Sequence, residues 1–146
     1  MPDFPSYDPE LAEMMKSGGL DGRGGGGLPD YLGIQFIDVG PGWAEAELEV
    51  RRDLLNPFGA AHGAVLASLF DHMLGSAVMP VVPKGTWPAS LEFKLSYLAP
   101  VREGPLRARS EVVVLRTNTA VVRMEATNDD RVVGAALGTV SLQRPR

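Results

Sequence analysis

The sequence predicts an α+β domain in which an antiparallel β-sheet wraps around one long central helix. Three observations predict it. Trp43 to Val50 alternates, with Ala44, Ala46, Leu48 and Val50 on one side and Glu45, Glu47 and Glu49 on the other. Patterning of period two marks a strand with one buried and one solvated face. Ala61 to Met79 is rich in Ala, Leu and Met and apolar nearly all round, which fits only a buried helix. Strand patterning then resumes to the end of the chain. One helix against one such sheet is an α+β arrangement, and a wrapped sheet explains why the helix is apolar on most sides.

The elements follow in order. Pro9 to Lys16 is a short helix, with Asp8 as N-cap and Pro9 at the first helical position. Ser17 to Gly27 is mostly glycine, whose ordering is entropically costly, and reads as a connector. A phosphate-cradling loop would need a preceding strand and a Gly-Lys-Ser/Thr ending, and it has neither. Residues 1–27 are therefore expected to form an N-terminal helix plus linker, and residues 28–146 the domain proper. Gly33 to Val39 is a first strand, closed by Gly40-Pro41-Gly42. After the helix and a Pro80 to Pro88 loop, Leu91, Phe93, Leu95 and Tyr97 share one face of a strand. Leu106 to Leu115 and Thr119 to Asn128 form a hairpin around Arg116-Thr117-Asn118. Asn128-Asp129-Asp130 turns into a last strand, Val132 to Leu142.

Composition narrows the function. The 146 residues are 45% hydrophobic, enough for one folded core. A net charge of −4 gives no basic face for nucleic acid. No cysteine is present, so thiolate nucleophiles and thiolate metal sites are excluded. With only His62 and His72, a multi-histidine metal site is not expected either. Met1 to Lys16 is too acidic for a secretory leader, and the longest apolar stretch, Ala60 to Val82, is broken by His62, Asp71 and His72. The expectation is a soluble, cytoplasmic protein with no membrane span.

The chemistry concentrates in Asn56-Pro57-Phe58-Gly59-Ala60-Ala61-His62-Gly63-Ala64, continuing to Asp71. Between Leu54 and Pro83, Asp71 is the one formally charged side chain. A lone carboxylate in an apolar helix is costly to desolvate. It is exposed on a polar strip with Ser68 and His72, or paired structurally, or a working carboxylate with a raised pKa. His62-Gly63 at a helix start leaves backbone N–H groups unpaired, and glycine lets a ligand approach them. Those donors, with the positive end of the helix dipole, suit charge developing on a carbonyl oxygen. Tight packing at Gly63 would explain the same residue.

Together, Asn56, His62-Gly63-Ala64 and Asp71 resemble the phenylacetic-acid-degradation (PaaI-like) type of hotdog-fold acyl-CoA thioesterase in the 4-hydroxybenzoyl-CoA thioesterase superfamily. Tyr31-Leu32-Gly33-Ile34, Leu54 to Gly59 and Leu95 to Pro100 fit the same pattern, and the likeness spans about Pro29 to Leu142. Ala64 departs from it, because the family usually carries a second glycine there. The resemblance implies roles. Asp71 is the general base or nucleophile at the thioester carbon, and the Gly63 N–H polarises the thioester carbonyl. Asn56 bonds near the reacting group, His62 shapes the turn, and Ser90 positions water. It implies an acyl-CoA substrate, with CoA as part of the substrate and no separate cofactor or metal. Arg116 and Arg102, with Arg107 and Arg109, are the basic residues considered for the CoA phosphates. Phe58, Leu66, Phe70 and Met73 would line a pocket for a medium-chain or aryl acyl group.

Helix geometry adds a constraint. Gly63 and Asp71 are eight residues apart, so they lie roughly 12 Å apart along one helix. They cannot both reach one thioester carbon, and the site must combine Gly63 of one subunit with Asp71 of its partner. A homodimer is expected, and a dimer of dimers in addition. His72 points about 100° away from Asp71 around the helix and reads as a packing residue. Two other activities are open: a hotdog-fold acyl-thioester hydratase or dehydratase pairing His62 with Asp71, and non-catalytic acyl-CoA binding.

Overall fold

The computed structural model describes residues 2–18 and 26–146. Most of the predicted linker, residues 19–25, lies outside the described residues. The elements are helix α1 (Pro9–Lys16), helix α2 (Gly27–Leu32), strands β1 (Gln35–Gly40) and β2 (Trp43–Val50), helix α3 (Gly63–Ser76), and strands β3 (Trp87–Tyr97), β4 (Gly104–Leu115), β5 (Thr119–Asn128) and β6 (Arg131–Gln143). The six strands form one antiparallel sheet in the order β1-β2-β4-β5-β6-β3. The α+β expectation holds.

Local chemistry explains most boundaries. Asp8 caps α1 by accepting from the Leu11 N–H at 3.0 Å, and Pro9 follows at the first helical position. The β5–β6 turn places Asp129 and Asp130 at φ 48° and 64°, a left-handed pair that suits a tight hairpin. The helix α2 was not expected; the linker was read through Gly27 and a strand from Gly33. Gly33 instead closes α2 in a left-handed C-cap at φ 72°, and the first strand begins two residues later. The central helix is also shorter than Ala61 to Met79. It ends at Ser76, and a 3₁₀ turn at Met79–Val81 completes the apolar run. Gly63–Val81 is long and apolar enough to cross a membrane by composition, so the apolar stretch is less interrupted than the sequence reading held. Most of it is buried in this fold's core.

The helix α3 lies across the concave face of the sheet. Leu69, Phe70, Met73 and Leu74 are fully enclosed, against Leu48, Leu106, Val112, Val122, Met124 and Val133 from the strands. Two glycines on β6 let it settle. A Cβ on Gly134 would stand 2.5 Å from Leu66 Cδ2, and one on Gly138 would meet Phe93 Cβ at 2.7 Å and the Glu92 carbonyl oxygen at 2.9 Å. Close backbone approach at such positions is what glycine permits in a strand.

The N-terminal segment packs on this core. Phe4 fills the space beside Gly42 where a side chain would otherwise stand. The Asp8 N–H donates to the Pro80 carbonyl at 2.8 Å. Ala12 and Met15 of α1 are buried, and Lys16 reaches Asp38 of β1 at 3.6 Å. The sheet edge at β1 is thus covered. The edge at β3 is open among the described residues, and it carries exposed Trp87, Leu91 and Tyr97, with Leu98 just beyond.

The close seat of α3 on β6 predicts unequal costs for two similar substitutions. Gly138→Ala meets backbone and a Cβ, so it should cost about 1–3 kcal/mol by overpacking. Gly134→Ala displaces only the tip of Leu66 and should cost less. Urea unfolding of both variants at one temperature measures the difference.

Candidate active site

The first turn of α3 shows how one amide is left open. His62 is the N-cap, and its Nδ1 accepts from the Ala64 N–H at 3.1 Å. The Val65 N–H donates to the His62 carbonyl at 2.8 Å. The Gly63 N–H has no partner among the described residues. Four amides at a helix start lack partners from the helix itself. Here the histidine occupies the neighbouring donor and leaves Gly63 available.

Asn56 organises the loop before the helix. Its Oδ1 accepts from the Phe58 N–H at 2.9 Å and the Ala60 N–H at 3.2 Å. The Asn56 N–H donates to the Ala60 carbonyl at 2.7 Å, and Gly59 turns at φ 78°. The amide nitrogen of Asn56 has no partner among the described residues. Arg102 braces the same loop, its Nη1 donating to the Phe58 and Gly59 carbonyls at 3.2 and 3.3 Å. A cavity of about 400 Å³ opens beside this loop, lined by Asn56, His62, Gly63, Leu66, Tyr97 and Leu98 among others.

Asp71 sits two turns further along α3 and is exposed. Ser90 of β3 donates its hydroxyl to Asp71 Oδ1 at 2.8 Å. One carboxylate oxygen is thereby held, and the other has no protein partner among the described residues. Asp71 is thus exposed and bonded to Ser90 rather than set on a strip shared with His72. His72 is on another side of the helix, packed on Phe36 with ring centroids 5.4 Å apart. Burial pushes its pKa down, with the Asp71 charge a smaller opposing influence.

The Ser90 contact depends on a β-bulge. Ser90 pairs with Val140 and Glu92 with Thr139, so Leu91 is an extra residue in β3. Before the bulge, Pro88 packs on Gly75 of α3 and Ser90 reaches Asp71. After it, Phe93, Leu95 and Tyr97 face the helix. The sequence reading put Leu91 in that apolar row. Leu91 is instead 60% exposed, because the inserted residue reverses which alternate positions face inward. Bulges commonly re-aim a side chain in this way.

The remaining sequence candidates divide. Leu66 lines the cavity, but Phe70 and Met73 are fully enclosed in the core and are not among the residues that line it. Their burial between helix and sheet corrects the expectation of an acyl pocket there. Phe58 is 86% exposed at the loop tip. Arg107 is paired with Glu47 at 2.8 Å, and Arg109 with Glu45 and Glu111 at 2.6 and 2.8 Å, on the outer sheet face. Arg116 is exposed at the β4–β5 turn; its backbone N–H donates to the Thr119 carbonyl at 2.8 Å, and its guanidinium donates to the Leu115 carbonyl at 3.3 Å. The Leu142 N–H donates to Asn118, and Trp87 pairs with Gln143. Arg116 therefore stands near the start of β3, and Arg102 near its end. Tyr97 was not singled out from sequence. Its hydroxyl donates to the Gly63 carbonyl at 2.9 Å, and the only signal for it was its place in the inward-facing row.

With this geometry in view, comparison with known proteins defines the class. Residues 58–135, more than half of the chain, match the thioesterase superfamily. The thioesterase HI1161 of Haemophilus influenzae superposes with a TM-score of 0.79 at 25% identity, covering 91% of this chain and 90% of that one. A variant of the phenylacetic acid degradation protein PaaI of Thermus thermophilus is 30% identical, with a TM-score of 0.72 over 80% of this chain and 97% of that one. In sequence, the 1,4-dihydroxy-2-naphthoyl-CoA hydrolase of Listeria monocytogenes is 25% identical over 121 residues, covering 82% of this chain and 98% of that protein. The chain belongs to the thioesterase superfamily: it is a hotdog-fold thioester hydrolase of the PaaI-like kind.

His72 gives a pH prediction. Its pKa is below the ordinary value near 6.5 in the fold, so the unfolded chain binds the proton more readily. Its contribution is complete above about pH 6.5 and is lost as pH falls through the lowered value. Wild type should lose more unfolding free energy between about pH 7 and about pH 5.5 than His72→Gln. Equal losses in urea titrations would contradict this.

Proposed function

We propose that the protein hydrolyses a medium-chain or aryl acyl-CoA to free acid and CoA at sites shared between two protomers. The observation that carries this reading is the open Gly63 N–H beside a cavity, with a Ser90-held carboxylate eight residues further along the same helix. The two groups are about 12 Å apart, too far to serve one carbonyl. The free β3 edge supplies the remedy. Two such edges pairing antiparallel about their middle bring the Ser90 end of one strand to the Tyr97 end of the other. Asp71 of one protomer then approaches Gly63 of its partner. Two-fold symmetry gives two equivalent sites, in a dimer or a pair of dimers.

The chemistry follows. The Gly63 N–H donates to the thioester oxygen and stabilises the charge that develops there. Asp71 as base takes a proton from water, and the resulting hydroxide adds to the carbonyl carbon. The carbon–sulfur bond breaks, and the proton held by Asp71 passes to the departing CoA thiolate. As nucleophile, Asp71 would instead form an anhydride that water opens. Ser90 holds the carboxylate in line, and the Asn56 amide donates beside the reacting group. Arg102 and Arg116, at opposite ends of β3, are the cations offered to the CoA phosphates. The cavity is lined by the aromatic Tyr97 beside Leu66 and Leu98, which supports an acyl preference that extends to ring-bearing acids. A hydratase using His62 as base is disfavoured, because its Nδ1 already accepts the Ala64 N–H.

The sharing of sites has a direct test. Asp71→Asn should lower turnover by about a hundredfold or more while leaving acyl-CoA binding largely intact, in line with loss of a general base. Gly63→Pro deletes the donor at the first helical position, which accepts proline, with the Tyr97 side chain shifting a few tenths of an ångström to admit the added carbon. Each variant alone should be nearly inactive. Mixed and reassembled, they should regain activity, since each heterodimer contains one site with neither defect. No recovery from well-folded mixed dimers would mean that Gly63 and Asp71 serve a site within one chain.

A further inference from the structure

We propose that Tyr97 is a positioning residue that holds the Gly63 turn in register with the substrate carbonyl. This inference rests on Gly63 being the carbonyl-polarising donor. The hydroxyl of Tyr97 donates to the Gly63 carbonyl oxygen at 2.9 Å. The same phenol end also packs over the Gly63 Cα. A Cβ placed on Gly63 would stand 3.0 Å from both Tyr97 Cζ and the hydroxyl oxygen, and 3.2 Å from Cε1. Gly63 is thus held by one side chain through a hydrogen bond and a close van der Waals contact. His62 holds the next amide, Ala64, at 3.1 Å. Both contacts fall on the peptide between Gly63 and Ala64, while the Val65 N–H holds the His62 carbonyl of the preceding peptide at 2.8 Å, so the Gly63 N–H lies between two restrained peptides in a residue that lines the same cavity as Tyr97.

Tyr97 comes from the edge strand rather than from the helix. It is 59% exposed and lies on the same strand as Ser90. The strand therefore touches both working parts of α3, the carboxylate through Ser90 and the amide donor through Tyr97. A donor acts in catalysis only when its direction matches the charge that forms in the transition state. A small rotation of the first turn would spoil that match without changing how tightly the ground-state ester binds. Tyr97 is the side chain that opposes this rotation.

Tyr97→Phe keeps the ring and removes the hydroxyl. The expected result is a fall in kcat of about tenfold, equivalent to about 1.4 kcal/mol, with KM for an acyl-CoA ester within about twofold of wild type. Amide hydrogen exchange over residues 61–67 should become faster, while melting temperature and oligomeric state stay unchanged. Unchanged kcat with unchanged exchange overturns the proposal. A raised KM at constant kcat also overturns it, because that marks a substrate contact instead of a positioning role. Asp71→Asn, assayed alongside, separates the two ideas. If wild type and Asp71→Asn are equally inactive on a panel of acyl-CoA esters, the thioesterase reading fails, whereas the exchange measurement still decides whether Tyr97 holds the turn.

Discussion

A helix cannot satisfy the amides of its own first turn, and the arrangement of this site begins from that deficit. Three amides follow the His62 cap in succession. The imidazole satisfies the second of them and the cap carbonyl the third, which leaves the first, on Gly63, without a protein partner. An unsatisfied donor is normally a cost. Beside a cavity it becomes a place for a ligand oxygen. The loop before the helix serves the same end: Asn56 spends its oxygen on two backbone amides and Arg102 ties the loop carbonyls, so the approach to Gly63 has a fixed shape.

The length of α3 and the run of β3 are matched to each other. The helix rests on β6 through two glycines, which sets its height above the sheet. At that height Ser90 and Tyr97, near opposite ends of β3, reach Asp71 and Gly63 respectively. The outer sheet face is a grid of arginine–glutamate pairs, including Arg123 with Glu111 at 2.6 Å, where hydrogen bonds from Arg109 and Arg123 pull the Glu111 carboxyl below its usual range. These pairs are largely exposed and add little stability each. They leave the cations of that face already partnered, in contrast to Arg116.

Much of this was legible in the residues because local rules dominate there. The strand β2 follows strict alternation and has the predicted bounds, and Asp8-Pro9 starts α1 where capping chemistry puts it. His62, Gly63 and Asp71 stood out because polar or glycine residues in an apolar stretch are conspicuous, whereas Asn56 and Ser90 came only from the resemblance to the thioesterase family. Other features are not local. The order of strands, with β3 beside β6, is settled by long-range pairing. The core positions of Phe70 and Met73 depend on which helix face meets the sheet, and a helix apolar on all sides does not disclose it. Tyr97 looked like one more member of an apolar row, since nothing in its neighbours records that its hydroxyl meets a carbonyl 34 residues earlier.

The extra residue at Leu91 works as a change of phase within a single strand. Upstream and downstream segments hold opposite parity while sharing one continuous ladder with β6. The first half, whose Ser90 addresses Asp71, and the second half, whose Phe93 and Leu95 pack on the core, can therefore vary in sequence without forcing each other to rotate. Such a phase break lets evolution, or a designer, exchange the serine-bearing half as a cassette while the packing half stays untouched.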